Sequence, residues 1–240
     1  MDTSPATPAI ELAADGVARI AGRRHLLRDV SIRAAGGEVV ALIGRNGAGK
    51  TTLLSVLAGR QAPDRGSVAI RVDGRPAERA ERAAAVGFLP HDLAVYPDLT
   101  ARENLAFGAA LYGVRDAGPR ISSALDDVGL GRDGDRPLRT CSRGMQQRAA
   151  IARLLVTGSS VWLLDEPATG LDEPGRRWLA SLIVAQGAAG RLVVMSSHHR
   201  PEVAGVATRI VLLEAGRVVL DVPGGDTARA FERLDGAVAP

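Results

Sequence analysis

Gly44-Arg45-Asn46-Gly47-Ala48-Gly49-Lys50-Thr51 carries the densest chemistry in this 240-residue chain. Its glycines let the backbone turn sharply, so successive N–H groups can converge on an anion. Lys50 adds a compact charge. Thr51, followed by Thr52, offers a hydroxyl of the kind Mg²⁺ takes among its oxygen ligands. Lys50 is the only lysine in the chain, and every other basic side chain is an arginine or one of 4 histidines. A guanidinium is a wide planar fork. A loop wrapped closely around phosphates has room for an ammonium on a thin stem, not for that fork. The competing reading is a glycine-rich turn with a chance lysine.

Three other sites have the right residue types. Asp165-Glu166 ends the apolar run Val161–Leu164. Asp165 suits a Mg²⁺ shell, and Glu166, one residue on and pointing the other way, suits a general base that polarises water. By itself this pair reads equally well as two solvated acids at a strand end. Ser142 opens a helical stretch, where an N-terminus and a hydroxyl favour an anion. An ordinary N-capped helix is the plainer account. His198 follows the apolar run "RLVVMSS". A lone histidine is more often structural, and its place at a strand end favours function; His199 has no such claim.

The elements around these residues follow from periodicity. "EVVALIG" is a continuous apolar run, as in a strand covered on both faces. The glycine loop follows, then "KTTLLSVLAG", a helix stopped by Gly59. Strand, glycine loop, helix is the order that the phosphate-loop (P-loop) pattern G-x-x-x-x-G-K-[ST] requires. "VWLLD" is a second buried strand, expected to lie beside the P-loop strand and to deliver Asp165 to the metal. "IELAADGVARI" and "RDVSIRA" alternate as half-buried strands do, and "GSVAIRVDG" is another strand. From about residue 91 to 157 the pattern turns helical. Thr100 with Glu103 forms a capping box before "ARENLAFGAALYGV", "ISSALDDVGL" follows, and Ser142 caps the third helix. The expected fold is α/β: a P-loop core sheet, an N-terminal antiparallel β region and an inserted helical subdomain. Residues 1–8 read as a flexible tail and 9–240 as one domain, its C-terminal β/α end at about 208–240.

Composition narrows the classes. Net charge is only +3 and aromatics are 3%, so neither a basic stripe nor stacking platforms for nucleic acid are evident. Cys141 is the one cysteine, which excludes an internal disulfide and fits a reducing compartment. The opening residues lack the apolar core of a signal peptide. No apolar run nears the roughly 18 residues that cross a bilayer.

"GRNGAGKTT", "CSRGMQQR", "LLDEPATGLD" and "SSH", in that order, resemble the ATP-binding cassette ATPases from about Ile10 to Val222. The resemblance implies ATP held by Gly44, Arg45, Asn46, Gly47, Ala48, Gly49, Lys50, Thr51 and Thr52, with Mg²⁺ at Thr51 and Asp165. It implies catalysis by Lys50, Glu166 and His198. Ser142, Arg143 and Gly144 stand where the family has its signature, which reaches the ATP of a facing subunit; Asp172 matches the loop that couples the two sites. Three departures from the pattern stand out, over four positions. His91 stands where the family has a glutamine, either in the metal shell or coupling the site to a partner. Arg143 and Met145 replace a glycine and a glutamine. Ala21 falls where an aromatic usually stacks on adenine. His91, "YPDLTARENLAF" and "SRGMQQR" resemble a subgroup that includes haem-exporter and multidrug-exporter ATP-binding proteins. The implied role is an ATP hydrolase of a transporter, expected to be an exporter. It would pair with a second ATPase subunit, identical or related, and lie peripherally on the inner face of the cell membrane. Transmembrane permease subunits would dock near His91–Leu105, and no nucleic-acid partner is expected. The rival is a soluble ATPase of the same family acting in assembly, repair or translation.

Overall fold

The computed structural model describes residues 9–236; the tail expected over residues 1–8 lies outside them. Two sheets organise the chain. The first is antiparallel: β1 (Ile10–Ala21), β2 (Arg24–Ala35), β4 (Arg65–Val72) and the short β5 (Arg75–Pro76), in the order β2-β1-β4-β5. The second contains β3 (Val39–Ile43), β6 (Val86–Leu89), β7 (Val161–Asp165), β8 (Leu192–Ser196), β9 (Arg209–Glu214) and β10 (Arg217–Pro223). Its order is β10-β9-β3-β8-β7-β6. All pairings in it are parallel except β10 on β9. Every residue of β3, β7 and β8 is buried, as the uninterrupted apolar runs require of strands covered on both faces.

The strand order departs from the expectation from sequence. β7 does not lie beside the P-loop strand β3; β8 stands between them. β8, like β3 and β7, is paired on both edges and covered on both faces, so its apolar run marks it as buried without setting it apart from them. The register sets Leu42 and Asp165 on either side of Ser196, so the C-terminal ends of the three strands stand level.

Helix α1 (Lys50–Leu57) follows β3, and α2 (Arg79–Ala85) precedes β6. α2 buries none of its residues, so it left no amphipathic signal in the sequence. Between β6 and β7 lie α3 (Ala101–Leu111), α4 (Gly118–Asp127) and α5 (Arg143–Thr157). The capping box at Thr100 and Glu103 forms, and Ser142 Oγ accepts from the Met145 N–H at 3.3 Å. α6 (Glu173–Ala188), the single turn α7 (Arg200–Val203) and α8 (Thr227–Gly236) complete the helices. Apolar side chains form three clusters. One lies between the two sheets, one covers the other face of the large sheet under α6 and α8, and one is enclosed by α3, α4 and α5. Trp178 of α6 joins the last two. Its indole N–H donates to the Asp127 carbonyl at 3.2 Å, and the Arg148 guanidinium lies 4.6 Å from the ring centroid.

Arg209 joins the sheets. It pairs with both carboxylate oxygens of Asp221 at 2.7 Å, reaches Glu38 at 3.3 Å and donates to the Arg33 carbonyl of β2. These partners raise its pKa, the Asp221 hydrogen bonds most. Truncating one partner of charge-assisted hydrogen bonds costs about 1.5–3 kcal/mol when they are shielded from water. Arg209→Ala should therefore lower unfolding free energy by about 1–3 kcal/mol in urea titration. A loss under about 0.5 kcal/mol would mean that solvent already screens the bridge.

Candidate functional site

The P-loop sits between three backbone walls, and two glycines show how tightly. Gly44 has φ +154°, and a Cβ there would stand 2.5 Å from the Leu213 carbonyl oxygen. Gly49 has φ +108°, and its Cβ would stand 2.7 Å from the Leu26 carbonyl oxygen. The turn between β9 and β10 supports the loop from outside: the Gly216 N–H donates to the Ala48 carbonyl at 3.0 Å. α1 begins at Lys50 with no side-chain cap, so its first N–H groups are left for an anion. Arg45, Asn46, Gly47 and Thr51 are exposed, with Thr52 half-buried beside them.

Lys50 is different. Its residue is only 6% exposed. The ammonium donates to the carbonyls of Gly44 at 2.8 Å and Arg45 at 3.2 Å, so it lies folded along its own loop. Burial lowers its pKa, and the charges of Glu166 and Asp165 oppose that shift. The loop and the strand-end acids therefore share one electrostatic neighbourhood.

Asp165 is 2% exposed. Its Oδ1 accepts from Ser196 Oγ at 2.6 Å, and its Oδ2 is buried with no hydrogen-bond partner. An unpartnered buried carboxylate oxygen is what a divalent cation would satisfy, so the residues present fit Mg²⁺. Among the described residues no three His, Cys, Asp or Glu side chains gather as a metal cluster. Glu166 steps out of the strand at φ +49°. Its carboxylate meets two histidines: Oε1 lies 3.2 Å from His198 Nδ1, and Oε2 lies 3.9 Å from His91 Nδ1.

The remaining predicted residues form a second group. Ser142 caps α5, and Asp172 caps α6, its Oδ1 accepting from the Gly175 N–H at 2.9 Å. The stem of Arg143 lies over Gly170, where a Cβ would meet its Cγ at 2.6 Å. The Arg143 guanidinium donates to the His91 carbonyl at 3.2 Å. The arginine that replaces a family glycine thus joins this group to the segment after β6. Among the described residues no hydrogen bond or ion pair joins Ser142, Arg143, Gly144 or Asp172 to the P-loop. Ala21 is exposed at the end of β1.

Two features escaped the sequence reading. One is Ser196, whose hydroxyl lies between Asp165 and Glu166; its only signal was the serine pair before His198. The other is a groove of about 800 Å³ between α2, β6 and α3, lined by Phe88, Tyr96, Phe107, Leu111, Arg60 and Arg153 among others. Tyr96 and Phe107 pack edge to face, and Leu111 is 70% exposed. Arg153 reaches from α5 to the carbonyls of Ala94 at 2.8 Å and Leu93 at 3.4 Å, just past His91.

Residues 27–169 match the family described as "ABC transporter". The chain is 37% identical over 198 residues to the cytochrome c biogenesis ATP-binding export protein CcmA 1 of Cupriavidus metallidurans, covering 82% of this chain and 92% of that protein. It is 35% identical over 188 residues to the SkfA peptide export ATP-binding protein SkfE of Bacillus subtilis, covering 78% of each. A solved ATP-binding subunit of an ABC transporter superposes with a TM-score of 0.80 at 27% identity, covering 94% of each chain. A bacterial Atm1-family ABC exporter with ATP bound superposes with a TM-score of 0.80 at 25% identity, covering 97% of this chain and 43% of that one. The P-loop, the strand-end acid pair and these matches together establish that the chain belongs to the ABC transporter family, as an ATP-binding, ATP-hydrolysing protein.

Proposed function

We propose that this chain is the ATPase subunit of an exporter, closing head to tail on a second ATPase chain to drive a separate membrane permease. The observation that carries the reading is the division of the site. Lys50, Asp165, Glu166 and His198 gather at one sheet edge, while Ser142, Arg143, Gly144 and Asp172 form a second group without bonds to the P-loop. Two half-sites on one chain call for a second chain, a copy or a related cassette, to complete each. The relatives named above are ATP-binding proteins of export systems, which favours the exporter over a soluble ATPase of assembly, repair or translation.

In this reading the P-loop amides and Lys50 hold the β and γ phosphates of ATP. Thr51 and Asp165 hold Mg²⁺, which when bound neutralises charge on those phosphates. Glu166 takes the proton of water as its oxygen attacks the γ-phosphorus; the bond to the β-phosphate oxygen breaks, and ADP and phosphate leave. His198 steadies Glu166 through Nδ1 and leaves its other ring nitrogen for the γ-phosphate. His91 faces the second Glu166 oxygen and, through its carbonyl, Arg143. It acts on the base and the signature rather than as the main metal ligand, since neutral imidazole suits Mg²⁺ poorly.

The groove of Tyr96, Phe107 and Leu111 overlaps the expected docking region at His91–Leu105 and extends it along α3. Three large exposed apolar side chains in one concavity, with Arg60 and Arg153 beside them, suit an apolar permease segment bearing an acidic group. Arg153 then connects that segment to the backbone just past His91. No described helix is long and apolar enough to cross a membrane. The subunit would therefore be held at the inner membrane face by the permease. Nucleic acid has no part in this reading.

Lys50→Arg should lower ATP turnover by at least about 10²-fold, the usual cost of losing one preorganised charge contact. Phosphate release measures it, and near-normal turnover would refute the steric account of the lone lysine. Glu166→Gln should bind ATP yet turn over about 10²–10⁴-fold slower. Gel filtration of this variant should show an ATP-dependent dimer, and a persistent monomer at high protein and ATP would count against head-to-tail closure. Leu111→Asp should weaken capture of the detergent-solubilised permease by about tenfold, roughly 1.4 kcal/mol. Undiminished capture would remove the groove from the docking surface.

A further inference from the structure

Ser196 ends the central strand, is fully buried and touches both residues of the acid pair. Its hydroxyl donates to Asp165 Oδ1 at 2.6 Å and accepts from the Glu166 N–H at 2.9 Å. A hydroxyl has one proton to give, and a backbone N–H can only donate. The roles are therefore fixed: the proton goes to Asp165, and a lone pair goes to Glu166. The neighbouring Ser197 serves the local turn instead, donating to Glu202 at 2.6 Å and accepting from the His199 N–H.

We infer that Ser196 is a positioning residue for hydrolysis, one hydroxyl that sets the metal-facing oxygen of Asp165 and the path of the backbone into Glu166. Two observations beyond the distances carry this. With Oδ1 committed to Ser196, the oxygen left over on Asp165 is the buried and unpartnered Oδ2. Second, Glu166 holds a left-handed backbone that L residues with long side chains seldom adopt. A strained conformation at a functional position persists only where its surroundings fix it. The Ser196 bond holds Glu166 at that turn, which brings the carboxylate to His198 rather than along the line of β7. Parallel pairing of Asp165 with Ser196 is what lets one hydroxyl reach two consecutive residues, and it exists because β8 took the centre of the sheet.

The inference rests on Asp165 and Glu166 having the roles proposed above, and the experiment separates the two claims. Ser196→Ala, Ser196→Thr and Glu166→Gln are compared in the full chain. Ser196→Ala should lower kcat by about 10–10²-fold, the scale expected when reacting groups shift by a fraction of an ångström to one ångström. KM for ATP should stay within about threefold, because the P-loop is untouched. Ser196→Thr keeps the hydroxyl and should recover most of the loss. A readout independent of turnover is the Glu166 amide in nucleotide-free protein. By NMR it should exchange with solvent at least about tenfold faster in Ser196→Ala, since its acceptor is gone. If alanine does not fold, Ser196→Cys, similar in shape and a weak donor, must show the same losses. Slow Glu166→Gln together with wild-type kcat in folded alanine or cysteine variants would overturn the role of Ser196 alone. So would equal impairment of alanine and threonine with unchanged exchange at Glu166, which is the pattern of packing rather than positioning. Normal turnover in Glu166→Gln would overturn the underlying assignment and this inference with it.

Discussion

The molecule is arranged around one desolvated ammonium. Burying a charge is costly unless hydrogen bonds and opposite charge replace its water. Lys50 receives both: two carbonyls of its own loop, and the field of the acids at the end of β7. This sets strict terms for the backbone. Carbonyls close enough to serve Lys50 require a loop pressed against Leu213 and Leu26, which only Gly44 and Gly49 allow. Those walls belong to β9 and β2, so the two sheets must meet behind the loop, and Arg209 is among the groups that hold them together. Phosphates of ATP would replace the carbonyls as partners.

Much of this was legible from the residues. β3, β7 and β8 declared themselves because strands covered on both faces need unbroken apolar runs. The caps at Thr100 and Ser142 declared themselves because their side chains satisfy N–H groups that any helix start leaves open. Strand order was not legible. An apolar run says that a strand is buried, not which neighbours it takes, so the place of β8 between β3 and β7 carries no signal in the sequence. The role of Ser196 is not marked there either, since its meaning depends wholly on what stands across from it. α2 was missed because it buries no residue, and the groove because Phe88, Tyr96, Phe107 and Leu111 converge only after three elements fold together.

The departures at His91 and Arg143 turn out to be one structural matter. Arg143 grips the His91 carbonyl from one end of α5, while Arg153, ten residues on, grips Leu93 and Ala94 from nearer its middle. The segment leading out of β6 is thereby fastened along the signature helix. Between those two arginines, Arg148 lies over the ring of Trp178 and joins the same helix to α6. His91, the segment behind it and α5 are thus one contiguous hydrogen-bonded group beside the groove.

The scarcity of lysine has a practical side. Lys50 is the only side-chain amine the protein owns, and it is shielded inside its loop. Reagents that acylate amines, which on most proteins mark the whole surface, have one side-chain target here. Its reactivity would track the nucleotide: protected with ATP in place, exposed only as the loop breathes. Lysine-specific cross-linkers, for the same reason, have no surface amine side chain by which to tie two copies together. On the proposed reading, and apart from the chain's own α-amine, an ordinary amine label would gauge the occupancy of a single phosphate pocket.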